Sequence, residues 1–71
     1  MREQDITHEN GNFWVGKTKG GFTVFVTGST HSVSDSTYEY QSVAVARCDY
    51  LAKRYPDFMS VLGLHARLSR L

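Results

Sequence analysis

Two runs of aromatic and β-branched residues, separated by a short glycine-containing segment, constrain the fold of this chain more than any other feature. Residues 13–15 (Phe-Trp-Val) form the first run, residues 22–27 form the second, and residues 16–21 (Gly-Lys-Thr-Lys-Gly-Gly) lie between them. Residues of these types favour β-strands. A two-residue Lys19-Gly20 turn, with Gly20 taking a positive φ, would make a hairpin that sets like side chains opposite one another. The predicted register pairs Phe13 with Val26, Trp14 with Phe25, and Val15 with Val24.

A third strand is predicted over residues 30–35. Gly28-Ser29 suits a type II′ turn, which requires glycine at its first central position. The resulting pairs are Val26 with His31, Val24 with Val33, and Phe22 with Asp35. Alternation then predicts a core face with Phe13, Val15, Phe22, Val24, Val26 and Val33. The opposite face would carry Asn12, Trp14, Thr23, Phe25, Thr27, Thr30, Ser32 and Ser34.

Two helices are expected after the sheet. Ser36 and Glu39 have the spacing of a capping box, and Pro56 ends the helix near Tyr55. The predicted core stripe of this helix is Tyr40, Val43, Ala44, Cys48, Leu51 and Tyr55. Asp57 could cap a second helix over residues 58–70, although Gly63 weakens it and a strand over residues 59–64 is the alternative. Its predicted apolar side is Phe58, Val61, Leu62, His65 and Leu68.

Together these elements predict an α+β fold, with a three-stranded antiparallel sheet followed by one long helix and a shorter C-terminal helix. Residues 1–11 are polar and are expected to form a mobile N-terminal arm, and residues 12–71 a single α+β domain. One cysteine, Cys48, excludes an internal disulfide. The sequence contains neither a signal-peptide pattern nor an apolar run of membrane-spanning length. We therefore expect a cytoplasmic protein with no membrane association.

The charge distribution argues against strong polyanion binding by the whole chain. The net charge is +1, but residues 1–46 carry three cations and five anions, and residues 47–71 carry five cations and two anions. The basic set of the second half is Arg47, Lys53, Arg54, Arg67 and Arg70. Scattered cations on a helix surface commonly face solvent, so this asymmetry alone does not define a phosphate site.

One sequence motif suggests nucleotide binding. Residues 11–18, Gly-Asn-Phe-Trp-Val-Gly-Lys-Thr, match the phosphate-binding P-loop expression. That chemistry needs a loop that follows a buried strand and opens a helix, whereas Phe-Trp-Val predicts a strand here. We expect the match to be accidental.

Other catalytic or metal-binding patterns are not apparent. His8, His31 and His65 have no partner at ligand spacing, and Cys48 on the apolar helix stripe is expected to be a buried, inert thiol. We therefore predict no enzyme activity, no cofactor and no metal.

Trp14 and Phe25 are the most informative candidates for binding. The predicted register sets them side by side, away from the helix, where they could stack on bases or contact a protein. They could instead stabilise the hairpin as a cross-strand pair, or be covered by residues 58–71. The candidate binding set is Trp14, Phe25, Lys17, Lys19 and Thr23.

The order of three strands and a helix over residues 12–55 resembles the small DNA-binding domains of the integrase-arm type. That resemblance, which rests on element order alone, implies that the sheet binds DNA. Base recognition depends largely on Arg, Lys, Asn and Gln, whereas this face carries Thr and Ser. The favoured prediction is therefore a non-enzymatic binding or adaptor protein that contacts another protein or a second copy of itself. The alternative is a nucleic-acid-binding module that uses the sheet and the basic second half.

Overall fold

The computed structural model describes residues 3–28 and 30–69. It confirms the α+β class, with an antiparallel sheet of four strands followed by two helices. The prediction of three strands is wrong by one. In chain order the elements are a 3-10 turn (Glu3–Asp5), β1 (Ile6–Asn10), β2 (Phe13–Thr18), β3 (Gly21–Thr27), β4 (Ser32–Tyr38), α1 (Gln41–Arg54) and α2 (Phe58–Ser69). The strands lie in the order β1-β2-β3-β4.

The additional strand, β1, comes from the segment expected to be an arm. Asn10 pairs with Phe13 across a two-residue loop, and the pairing continues along β2 to Ile6. Gly11, at the first loop position, has a φ of 61°, as a type II′ turn requires. Backbone hydrogen bonds can build an edge strand from polar residues, so the absence of an apolar run hid this strand from sequence analysis.

The β2–β3 hairpin has the predicted register. Phe13 lies opposite Val26, Trp14 opposite Phe25, and Val15 opposite Val24. The positive φ expected at Gly20 belongs instead to Gly21, where φ is 127°. A side chain at Gly21 would collide with the carbonyl oxygen of Tyr38 on the neighbouring strand.

The predicted β3–β4 register is wrong. Residues 28–31 separate the two strands, and the Gly28 amide donates to the His31 carbonyl at 3.0 Å. The predicted turn residue Ser29 lies outside the described residues. An irregularity at Asp35 then adds one residue to β4, as a β-bulge does. The observed pairs are Val26 with Val33, Phe25 with Ser34, Val24 with Ser36, Thr23 with Thr37, and Phe22 with Tyr38.

Strand pairing also displaces the start of α1. Ser36 lies within β4, so the predicted capping box is wrong, and the helix begins at Gln41 after the N-cap residue Tyr40. Tyr40 makes no side-chain capping bond. The C-terminus of α1 matches the prediction closely, because the helix ends at Arg54 and the Tyr55 amide donates to the Leu51 carbonyl at 2.8 Å.

The core lies between one face of the sheet and the two helices. All six residues of the predicted sheet core face contribute, with Phe22 and Val33 only partly buried. From α1 the core takes Ala44, Cys48 and Leu51, whereas Tyr40 and Val43 are exposed. The predicted core stripe therefore wrongly included Tyr40 and Val43, which are exposed to solvent. The buried core residues are Phe13, Val15, Val24, Val26, Ala44, Cys48, Leu51, Val61 and Leu64.

The C-terminal segment is a helix, so the alternative strand over residues 59–64 is wrong. Asp57 caps α2 as predicted, since its Oδ1 accepts from the Ser60 amide at 2.8 Å. Val61 and His65 are buried as expected, but Phe58 is exposed. Gly63 lies on the exposed side of α2, which explains why the core tolerates it. Neither helix in this described part of the chain is long and apolar enough to cross a membrane.

Candidate functional site

The outer sheet face, defined as the side opposite α1 and α2, carries the predicted aromatic pair. The Trp14 and Phe25 rings stack at a centroid distance of 4.3 Å and an interplanar angle of 18°. The Trp14 indole nitrogen donates to Thr27 Oγ1 at 3.2 Å. Both rings are half-buried and neither belongs to the core cluster. The pair therefore stabilises the hairpin and leaves only part of each ring accessible.

Threonine hydroxyls beside this pair satisfy one another. Thr23 Oγ1 lies 2.8 Å from Thr18 Oγ1 and 2.8 Å from Thr37 Oγ1. Thr23 is buried, although the sequence suggested it as a binding residue. Its side chain is therefore better placed to link β2, β3 and β4 than to contact a ligand.

The two candidate lysines do not join the aromatic pair. Lys17 lies opposite Phe22 and, by strand alternation, on the sheet face opposite Trp14. Lys19 lies in the turn between β2 and β3. The predicted set of five residues therefore divides among two sheet faces and a turn.

The P-loop match falls on extended structure. Residues 11 and 12 form a turn, and Phe13–Thr18 form strand β2, which leads into another turn at residues 19 and 20. A phosphate cradle needs successive amides at the start of a helix. This segment does not provide that geometry.

A second surface, which the sequence analysis missed, lies along one flank of α1. We call it the tyrosine–arginine stripe and define it as Tyr40, Val43, Arg47, Tyr50 and Arg54. The spacing of three and four residues places Val43, Arg47, Tyr50 and Arg54 on one side of the helix, and Tyr40 precedes them as the N-cap residue. Tyr40, Val43 and Tyr50 are 64%, 45% and 56% exposed. The same periodicity was visible in the sequence, but Tyr40 and Val43 were assigned to the core.

Arg47 is held in place at the centre of the stripe. Its Nε donates to Asp35 Oδ2 at 3.0 Å and its guanidinium lies 5.5 Å from the centre of the Tyr50 ring. The Asp35 side chain is only 5% exposed, and it also accepts from Ser36 Oγ at 2.7 Å. The hydrogen bond to Asp35 raises the pKa of Arg47. The stripe therefore lies beside β4, with one of its cations paired.

Among the residues that the structure describes, Lys53 and Arg54 near the C-terminal end of the stripe have no ion-pair partner. Tyr50, Lys53 and Arg54 line a shallow surface depression. The Arg54 guanidinium lies 5.3 Å from the centre of the Tyr55 ring. Phe58 and Met59, at the start of α2, are also exposed. This end of the helix layer thus combines aromatic surface with cations.

The opposite flank of α1 faces β1. His8 Nε2 donates to Asp49 Oδ1 at 2.8 Å, and Asn10 Nδ2 donates to the same oxygen at 2.9 Å. These hydrogen bonds, led by that of Asn10, lower the pKa of Asp49. Burial, with a smaller contribution from Asp49, raises the pKa of the neighbouring Cys48 thiol to about 11. Sequence spacing could not reveal this group, because His8 and Asp49 are 41 residues apart.

The other two histidines meet at the opposite end of the sheet. The His31 and His65 rings lie 4.9 Å apart in an edge-to-face arrangement. His65 Nε2 lies 2.8 Å from the His31 carbonyl oxygen, and His31 Nδ1 lies 3.0 Å from Thr30 Oγ1. These contacts connect α2 with the β3–β4 loop, which is a structural role.

Comparison with known proteins adds no family assignment. No protein-family model matches the chain, and no match was found among the curated proteins or the solved structures.

Proposed function

We propose that this chain is a small non-enzymatic binding protein that acts through protein–protein contact, with the tyrosine–arginine stripe as its interface. The observation that carries the proposal is the exposure of Val43 and Tyr50 on one helix flank, with the exposed Tyr40 at the N-cap before them. Contiguous exposed apolar surface commonly marks an interaction site. Tyrosine and arginine are also the residue types that contribute most to interface hot spots.

Preorganisation of the stripe supports the same proposal. Arg47 is fixed by Asp35 and lies close to the Tyr50 ring. A side chain that is already ordered loses less conformational entropy when a partner binds. Arg47 and Tyr50 would therefore form the centre of the interface.

Charge indicates the chemistry of the partner. Lys53 and Arg54 border the depression beside Tyr50, whereas Arg47 is already neutralised by Asp35. An apolar patch with acidic residues at its rim would complement this arrangement and would be attracted electrostatically. We therefore expect an acidic protein surface as the partner.

Two substitutions distinguish this surface from the outer sheet face. The immobilised chain should capture a partner from lysate of its native host, and Tyr50→Ala should abolish that capture. With the purified partner, Tyr50→Ala should weaken affinity about thirtyfold, the effect of a hot-spot loss of about 2 kcal/mol. Trp14→Ala is the comparison on the other face and should bind normally, provided that circular dichroism shows it folded. Loss of binding in Trp14→Ala alone would contradict the proposal and would show that the interface lies on the outer sheet face.

Nucleic-acid binding is the second candidate function. The combination of Tyr50 with Lys53 and Arg54 favours it, because exposed aromatic rings among cations can stack bases and contact phosphates. Amide NMR titration with short duplex and single-stranded DNA at low salt tests it. Shifts at residues 50, 53 and 54 that disappear with added salt would favour nucleic acid over a protein partner.

A further inference from the structure

Three different metal-ligating groups converge where β1 packs against α1. His8 on β1 offers an imidazole nitrogen, and Cys48 and Asp49 on α1 offer a sulfur and a carboxylate oxygen. These three ligand atoms all lie within 4.8 Å of one another. The two elements bring them together from distant parts of the chain, and the cluster is separate from the tyrosine–arginine stripe.

We propose that His8, Cys48 and Asp49 form a zinc-binding site with an open fourth position. Zinc accepts nitrogen, sulfur and oxygen ligands at about 2.0–2.3 Å, and three protein ligands leave one position for water or a further group. Tetrahedral ligands at those bond lengths are separated by about 3.4–3.7 Å. The present separations reach at most 4.8 Å, so small side-chain rotations bring the three atoms into range.

The surroundings of the cluster suit a metal ligand set. Asn10 Nδ2 donates to Asp49 Oδ1 at 2.9 Å and so orients the carboxylate. Such outer contacts fix ligand geometry and commonly change metal affinity when they are removed. The His8 side chain is 30% exposed and that of Asp49 is 49% exposed, so an ion can reach these two ligands from solvent, and the buried Cys48 sulfur would coordinate it from the core side.

Metal binding here would change the protonation of two ligands, Cys48 and His8, and would replace one present contact, the bond from His8 to Asp49. The Cys48 thiol must release its proton to solvent to coordinate as a thiolate. His8 must also give up its Nε2 proton to solvent and take up one at Nδ1, so that the neutral ring offers Nε2 to the metal in place of its present bond to Asp49. The ion would then join β1 to α1 directly. Since the edge strand β1 is a short strand of largely polar residues, zinc should order it and raise the thermal midpoint of the full chain.

Cobalt(II) substitution provides the test. Titration of the full reduced chain with cobalt alone should produce a thiolate-to-cobalt charge-transfer band in the near ultraviolet, and zinc should displace it. Cys48→Ser should abolish the band. His8→Gln, at a partly exposed position, should weaken zinc affinity at least about tenfold. Asn10→Ala removes an outer contact to Asp49 and should weaken zinc affinity by about tenfold.

His31→Gln is the matched control, because His31 lies outside the cluster. The zinc affinity of this variant should equal that of the original chain. Absence of the thiolate band would overturn the proposal. So would equal zinc affinity in the original chain, His8→Gln and His31→Gln, since that result would mean binding elsewhere. A band that appears only as two chains associate would also overturn it, because it would place the ligands on different molecules.

Discussion

Leu51→Ala provides the most direct test of how α1 is oriented on the sheet. Leu51 is 1% exposed within the core cluster. Removing about three buried carbon groups costs about 2.4 kcal/mol in transfer free energy, and the cavity left behind extends the range to about 2–5 kcal/mol. A chain of 71 residues is expected to have a total stability of only about 3.5–11 kcal/mol. The substitution should therefore remove a large part of the free energy of unfolding.

Val43→Ala and Val45→Ala calibrate the result on the same helix. Val43 is exposed, so its truncation should change stability by no more than about 0.5 kcal/mol. Val45 packs partly against the core, and its truncation should cost about 1 kcal/mol. The core stripe predicted from the sequence implies a larger loss of stability for Val43→Ala than for Val45→Ala, whereas the structure implies the opposite.

Urea unfolding followed by far-ultraviolet circular dichroism measures all three variants. With a urea dependence of about 1 kcal/mol per molar, Leu51→Ala should lower the midpoint by about 2 M or more at an unchanged slope. Equal losses at Leu51 and Val43 would refute the orientation of α1. A larger loss at Val43 than at Val45 would restore the orientation that the sequence suggested.

Three further predictions concern the turn, the cap of α2 and the P-loop match. Gly21→Ala should destabilise the chain by more than about 1 kcal/mol in the same assay, because φ is positive and the added carbon meets the Tyr38 carbonyl. Gly20→Ala, with ordinary contact to Thr37, should be nearly neutral. The hydrogen bond from the Ser60 amide lowers the pKa of Asp57. The stabilisation of the fold by this carboxylate should therefore be complete above the ordinary pKa of 3.8 and disappear as the pH falls through the lowered pKa of the folded state. Thermal midpoints measured against pH should show this dependence, and Asp57→Asn should remove it while retaining a capping oxygen. Lys17→Ala should leave ATP and GTP binding at the background level in equilibrium dialysis, whereas saturable binding lost in this variant would contradict the strand geometry of residues 11–18.

The sequence predicted the parts of the fold in which local and long-range preferences agree. The β2–β3 register followed from pairing Trp14 with Phe25, and the Asp57 cap followed from its position before an apolar helix. Local signals failed where strand pairing competed with them. Ser36 and Glu39 have the spacing of a helix cap, yet backbone bonding to β3 extends β4 to Tyr38 and delays the helix.

The candidate site was less predictable because two of its features depend on tertiary contacts. Strand alternation alone could have separated Lys17 from Trp14, so that mistake was avoidable from the sequence. The exposure of Val43 was not, since it depends on how α1 is rotated over the sheet. The approach of His8 to Asp49 likewise depends on β1, whose polar sequence carries no strong strand signal.

The bulge at Asp35, which makes the predicted β3–β4 register wrong, also positions a residue of the proposed interface. The bulge at Asp35 accompanies a carboxylate that is almost completely buried, and Arg47 neutralises it from α1. Without that charge partner, burial of Asp35 would be costly, so the bulge and the position of Arg47 depend on each other. Arg47 in turn lies beside Tyr50. Substitution of Arg47 would therefore disturb both the sheet edge and the stripe, whereas substitution of the exposed Tyr50 tests binding with little effect on the fold.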